Sequence, residues 1–172
     1  MKQWYAVHVR PRSEKKAAAG LEASGTEHYL PLVTTLRQWS DRKKKVQLPL
    51  IPGYCFVKVE ERDFLQVLQQ NQVVTFVKTE GRPAVIPAYQ IEFIRRMLNQ
   101  SEIEFELLQQ MPKPGQEVEI IAGPMIGLRA EVVRTNKKSK VILRMEAIGT
   151  AIRVEVPLSS VMLTHSTEHP AV

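Results

Sequence analysis

Two kinds of side chain crowd one short tract, and both bind rather than make bonds. Arg37-Gln38-Trp39-Ser40-Asp41-Arg42-Lys43-Lys44-Lys45 sets five cations against the single carboxylate of Asp41. Clustered Lys and Arg gain free energy by displacing counterions from phosphate. Just downstream comes Leu48-Pro49-Leu50-Ile51-Pro52-Gly53-Tyr54-Cys55-Phe56-Val57-Lys58-Val59, where two prolines and a glycine precede a run with strand alternation. The alternation sends Tyr54, Phe56 and Lys58 to one face and Cys55, Val57 and Val59 to the other. A cationic finger thus stands beside an apolar, aromatic-bearing platform. Such a surface can grip a large partner by a hydrophobic patch while the finger touches something anionic.

Residues that could do covalent or metal chemistry are scarce. The four histidines are His8, His28, His165 and His169, and the sequence has no H-E-x-x-H, C-x-x-C, G-x-S-x-G or Gly-rich phosphate loop. His165 and His169 share i,i+4 spacing, but no helical stripe accompanies them. Cys55 alternates inward with Val57 and Val59, which reads as a buried structural thiol rather than a nucleophile. The expectation is a protein that is not an enzyme and uses no cofactor or metal.

The chain that must position these residues has 172 residues and is 44% hydrophobic, enough for one good core or two small ones. Its net charge of +6 is unevenly spread: residues 1–50 contribute +6, residues 51–100 +1 and residues 101–172 −1. The asymmetry points the N-terminal part toward phosphate, although a merely cationic surface has the same composition. One cysteine excludes an intrachain disulfide and indicates a reducing compartment. The start Met1-Lys2-Gln3-Trp4 lacks an apolar signal region, so a cytoplasmic protein is expected.

In order, Trp4–Arg10 reads as a strand with Trp4, Ala6, His8 and Arg10 on one side and Tyr5, Val7 and Val9 on the other. Pro11 ends it, and Ser13 is the expected N-cap of a helix over 14–23 closed by Gly25. Lys15 and Lys16 sit in its first turn, where the macrodipole disfavours cations. A short strand at 27–33 is interrupted by Pro31, a hairpin arm spans 34–48, and a longer strand covers 54–59. A short helix at 62–70, a strand at 73–78, a turn at 80–83 and a helix after Pro87 carrying Ile91, Phe93, Ile94, Met97 and Leu98 follow. Residues 101–114, acidic and apolar without a clear period, read as a linker. From Gly115, four or five short strands with turns between them predict a small β-barrel over 115–163, followed by a disordered tail at 164–172. The fold class is α+β, an antiparallel sheet with flanking helices in residues 1–100 and then the barrel.

Trp4-Tyr5-Ala6-Val7, the arm, Pro49–Val57 and Gly115-Gln116-Glu117-Val118 with Gly123-Pro124 and Gly127-Leu128-Arg129-Ala130 resemble the NusG family of transcription elongation factors. Residues 1–100 resemble its NGN domain and residues 113–163 its KOW domain. The tract Trp39–Lys45 is most similar to the specialised RfaH-like and UpxY-like antiterminators of surface-polysaccharide operons. The resemblance implies a monomeric factor whose NGN domain binds the clamp helices of the largest RNA polymerase subunits and suppresses pausing. Carried over, Leu50, Ile51, Pro52, Tyr54 and Phe56, with Trp4 in support, would form the polymerase-binding depression. Arg10, Arg12, Lys15, Lys16, Gln70, Asn71 and Gln72 would meet the non-template DNA strand, along with the cations of the arm, Arg42, Lys43, Lys44 and Lys45. The KOW domain would recruit a ribosomal protein or Rho. Phe64-Leu65-Gln66-Val67 departs from the hydroxyl-rich gate-loop motif of RfaH-like members, and Met125 and Ala130 replace a frequent aromatic and a frequent glycine of the KOW domain. In RfaH the KOW domain can fold as a helical hairpin, but the β-branched runs at 141–143 and 152–156 favour strands here.

Two alternatives remain open at this point. One is a general housekeeping NusG-type factor. The other is a ribosome-associated protein whose barrel binds folded RNA, against which the net −1 of residues 101–172 weighs.

Overall fold

The computed structural model describes residues 1–164 apart from Gln109, Asn136 and Lys137. The expected disordered tail and the pair His165 and His169 therefore lie outside the described residues, except Thr164. The chain divides into two compact units, Met1–Ile91 and Glu92–Val172. No helix among the described residues is long and apolar enough to cross a membrane.

The first unit is built on one strand. β1 (Gln3–Val9) is followed by helix α1 (Glu14–Ala23), β2 (His28–Tyr29), β3 (Leu32–Gln38), β4 (Lys43–Pro49) and β5 (Tyr54–Val59). Helix α2 (Phe64–Leu68), β6 (Val73–Phe76), β7 (Lys78–Thr79), β8 (Arg82–Pro83) and β9 (Val85–Ile86) complete it, and helix α3 (Ala88–Leu98) runs across the division between units. The main antiparallel sheet has the order β2-β5-β1-β6, with β9 also on β1. β1 pairs with β5 from Gln3↔Val59 to His8↔Tyr54. Opposed residues share a face, so Tyr5, Val7, Val9, Cys55 and Val57 line one side, as the alternation predicts.

That side is the core. Ala17 and Leu21 of α1 and Val67 of α2 are buried against it with Val73 and Phe76. Tyr5, Phe64 and Phe76 form a three-ring cluster with centroids 4.5–5.9 Å apart, Tyr5 edge-on to both phenylalanines. Burial, with the negative charge of Glu61 adding to it, raises the Tyr5 phenol above its ordinary pKa.

Helix and strand boundaries follow local rules with two exceptions. α1 occupies the expected residues, but the Ser13 side chain makes no cap hydrogen bond to the helix. Its hydroxyl instead donates to Pro11 O at 3.4 Å, so a serine in the right place is not by itself a cap. The expected strand over 27–33 is split at Pro31, which lacks an N–H for the ladder: β2 becomes the sheet edge and β3 opens the arm. α3 buries Ile91, Phe93, Ile94 and Met97 of the expected stripe, while Leu98 is half-buried.

The second unit is one six-stranded antiparallel sheet in the order β10-β14-β13-β12-β11-β15. Its strands are β10 (Phe105–Leu108), β11 (Gln116–Ile120), β12 (Arg129–Thr135), β13 (Lys138–Met145), β14 (Thr150–Val156) and β15 (Val161–Leu163). Runs 141–143 and 152–156 are strands, as their β-branching predicts. Among the described residues no pairing joins β10 to β15, so the expectation of a barrel is met only as far as an antiparallel sheet. β10 arises within the segment read as a linker: Phe105↔Val154 and Leu107↔Ile152 pair two apolar residues of that segment with the sheet. Only a non-local partner turns Phe105-Glu106-Leu107-Leu108 into a strand, which is why its own pattern reads as aperiodic. Met125 and Ala130 are both buried.

A half-buried ion pair ties the entry of this unit to its sheet. Arg144 donates to both carboxylate oxygens of Glu131, at 2.8 and 3.0 Å, and to Pro112 O at 3.0 Å, while Gly115 N–H donates to Glu131 Oε2 at 3.1 Å. A Cβ on Gly115 would lie 2.3 Å from Val132 O, so backbone approach requires glycine there. The Arg144 hydrogen bonds hold the Glu131 carboxyl below its usual range. A depressed carboxylate stabilises the fold above its unfolded pKa, and this contribution disappears as pH falls through the lower folded value. Glu131→Gln is expected to destabilise the second unit by about 1–3 kcal/mol at pH 7. The difference from wild type should shrink on acidification below the carboxylate range, as followed by urea unfolding at a series of pH values.

Candidate nucleic-acid and protein interface

Three loops are tied together at the C-terminal end of β1. Val9 N–H donates to Gly53 O at 2.9 Å, and Arg10 N–H donates to Gln72 O at 2.9 Å. Gly53, at φ +84°, in turn donates its N–H to Glu14 Oε1 at 3.0 Å. Glu14 opens α1 and is only 7% exposed. A buried carboxylate is tolerated only when hydrogen-bonded, and a carboxylate in the first helical turn also suits the macrodipole. Sequence reasoning missed it, because an acid at a helix start is explained well enough by the dipole alone.

This knot fixes the loop Leu50-Ile51-Pro52-Gly53. Leu50 N–H also donates to Pro31 O at 2.8 Å, closing the base of the arm. Pairings Trp4↔Lys58, Ala6↔Phe56 and Tyr29↔Phe56 put Trp4, Tyr29, Tyr54 and Phe56 on the sheet face opposite the Tyr5 core. The Lys58 ammonium lies 5.9 Å over the Trp4 ring, and the His8 and Tyr54 rings are 4.8 Å apart. Of the six residues read as the polymerase-binding depression, Trp4, Leu50, Ile51 and Phe56 are buried, Phe56 completely, whereas Tyr54 is half-buried and Pro52 exposed. Burial makes the first four a floor and leaves Pro52 and Tyr54 as the part that can touch. The His8–Tyr54 contact, with ring planes tilted by 41°, follows from their direct opposition in the ladder.

The residues expected to meet a nucleic acid fall in two places. Lys16, Gln70, Asn71 and Gln72 line one pocket of about 160 Å³ with Ala17 and Gly20. Gln70 Oε1 stands 2.9 Å from where a Cβ on Gly20 would be, so the glycine gives the amide its space. Arg10, Arg12 and Lys15 are exposed around the same β1–α1 turn. Arg12 has φ 58°, a left-handed backbone that costs a non-glycine residue roughly 1–2 kcal/mol. Arg42, Lys43, Lys44 and Lys45 are all exposed on the arm, whose ladder runs from Leu32↔Pro49 to Gln38↔Lys43. On α2, Phe64 is held in the aromatic cluster and Leu65 is 67% exposed, so that helix presents an apolar rather than a hydroxyl surface.

Cys55 is fully buried, and desolvation pushes its thiol up to about 12 despite an opposing backbone hydrogen bond with Phe56. It is a packing residue at neutral pH.

The sequence model described as NusG, Transcription termination factor nusG, matches residues 2–95. The Transcription termination/antitermination protein NusG of Thermus thermophilus is 27% identical over 183 residues, spanning 93% of this chain and 97% of that protein. A solved structure described as "Domain interaction in Thermotoga maritima NusG" aligns over 95% of this chain and 97% of its own at a TM-score of 0.51 and 23% identity, a likeness of fold.

Glu14→Ala removes the acceptor for the Gly53 N–H and is expected to cost about 1–3 kcal/mol. Amide hydrogen exchange should show Gly53 losing protection well beyond the global change. Uniform loss across the sheet would mean that the contact is not a local tether.

Proposed function

The chain belongs to the NusG family of transcription termination factors, and from that premise we propose that it binds RNA polymerase through its first unit and suppresses pausing and termination. Its sheet with flanking helices is the family's NGN domain, and transcription factors of this family are not enzymes. The observation that carries the proposal is the loop Leu50–Gly53, held by Glu14, Val9 and Pro31 beside a face bearing Trp4, Tyr54 and Phe56. An interface gains most from a few aromatic anchors on a rigid support. Pro52 and Tyr54 are the contacting residues in this reading, with Trp4, Leu50, Ile51 and Phe56 holding them from beneath, and the clamp helices of the polymerase are the apolar partner.

The β1–α1 turn is the second contact. Arg10, Arg12, Lys15 and Lys16 supply phosphate-binding charge, and Gln70, Asn71 and Gln72 supply amides that can reach base edges. Together they suit the non-template strand of the elongation complex. The cationic arm favours a specialised, RfaH-like or UpxY-like factor acting on a surface-polysaccharide type of operon over a housekeeping one. The second unit acts as a KOW domain that recruits a ribosomal protein or Rho, and the factor works as a monomer in the cytoplasm.

In a purified transcription system the full chain is expected to shorten pauses by bacterial RNA polymerase. Tyr54→Ala should lose most of that effect while the chain stays folded, as thermal unfolding would show, whereas Phe56→Ala would lose it through unfolding. Equal activity of wild type and Tyr54→Ala on every template, including one carrying the native leader, would remove the clamp-binding role.

Arg12 allows a sharper test, because strain and function oppose one another there. Arg12→Gly is expected to raise stability by about 1 kcal/mol by relieving the left-handed backbone. It should also weaken crosslinking to the non-template strand several-fold. A gain in stability with unchanged crosslinking would show that the side chain has no role at the DNA.

A further inference from the structure

The arm has the wrong charges for its own stability. Its register sets Arg37 directly opposite Lys44, while Lys43 pairs with Gln38 and Lys45 with Leu36. Like charges opposed across a strand pair destabilise it. The only carboxylate of the tip, Asp41, lies 3.9 Å from Arg42, and both side chains are about 70% exposed, so solvent and salt make that pair weak. Cations therefore cover both faces of the hairpin end without internal neutralisation, which is unfavourable unless an anion arrives.

At the tip of this cationic end stands an aromatic ring. Trp39 N–H donates to Arg42 O at 2.8 Å, closing the turn Trp39-Ser40-Asp41-Arg42 immediately beyond the last ladder pair. The Trp39 side chain is 54% exposed. An indole left half in water at the end of a hairpin adds little to the core. With Arg37, Arg42 and Lys43–Lys45 on the same hairpin end, it has the two components of single-strand recognition: charge for the backbone and a flat apolar surface for a base.

We propose that Trp39 is a stacking platform for one unpaired nucleotide base, while Arg37, Arg42, Lys43, Lys44 and Lys45 bind the neighbouring phosphates. A duplex offers the lysines phosphate but offers the indole no free base face, so the tip discriminates unpaired from paired nucleic acid. The proposal rests on the reading of the arm as a phosphate-binding element and on none of the polymerase contacts.

The test uses the full chain and naked oligonucleotides, so polymerase plays no part. Trp4 is buried and Trp39 exposed, and these are the two tryptophans of the chain; iodide quenching therefore reports chiefly on Trp39. Oligo(dT) and oligo(U) are expected to protect Trp39 from iodide, with duplex DNA of equal length giving little protection. Whichever single strand protects more identifies the nucleic acid. Trp39→Ala should weaken single-strand binding roughly tenfold with an unchanged salt dependence, and Trp39→Phe should restore most of it. Lys44→Ala should instead lower the slope of log affinity on log salt by about 0.7. If Trp39→Ala binds single strands as well as wild type while Lys44→Ala does not, the stacking proposal is overturned and the phosphate role survives. If neither substitution matters, both fail. Equal protection of Trp39 by poly-glutamate would overturn it in favour of an acidic protein surface.

Discussion

The hydrogen bond from Gly53 to the buried carboxylate of Glu14 is the constraint on which the functional end of the first unit depends. It joins residues 39 apart in sequence, so it orders the loop before β5 only once α1 has docked. Gly53 is held from both sides, its carbonyl by Val9 and its N–H by Glu14. Without those partners a proline-framed glycine loop would sample many conformations. With them, the apolar loop and the β1–α1 turn become parts of one rigid corner, and their chemistries are presented in a fixed relation.

The sheet divides labour between its faces. The Tyr5 side is filled by α1, α2 and three interlocking rings. The Trp4 side holds aromatics with polar edges, His8 and Tyr54 in contact with their ring planes tilted by 41° and Lys58 over Trp4. Such rings bury apolar area while keeping a polar handle, which is what a recognition face needs and a pure core does not. Trp4 and Phe56 are buried on this face, Phe56 completely. Tyr54 is half-buried and Pro52 exposed, both nearer the loop.

Period-two alternation made both faces of β1 and β5 legible from sequence, because strand geometry alone dictates it. The arm was legible too: a polar, charged turn between two runs that can pair needs no tertiary help. Helix α3 was announced by Pro87 and its stripe. What stayed hidden depends on partners far along the chain. Glu14 gave no local sign of being buried, β10 needed β14 to become a strand, and the split at Pro31 had to be resolved by β5 capturing only His28 and Tyr29. Among the site residues, types were readable, but the meeting of Lys16 with Gln70–Gln72 was implied only by the family resemblance, and burial was not readable at all. Four of the six residues proposed for the depression are buried, a distinction that alternation cannot make.

The same cross-strand rule, applied in both units, separates their tasks. In the second unit Lys140 opposes Glu155 and forms an ion pair at 3.2 Å, Arg153 opposes and pairs with Glu106, and Arg144 is committed to Glu131. Those cations are matched within the sheet, so they have little to offer a phosphate backbone. In the arm, Arg37 opposes Lys44 and the charge is left outward. Opposite-sign pairs stabilise a sheet by a few tenths to about 1 kcal/mol each, and like-sign pairs do the reverse. The named cations of the second unit are thus matched within its sheet, although like-charged Glu117 and Glu131 also oppose one another there, while the cations of the arm face no opposed carboxylate. The unmatched cations of the arm are one observation that supports the proposed division, in which nucleic acid meets the first unit and a protein the second.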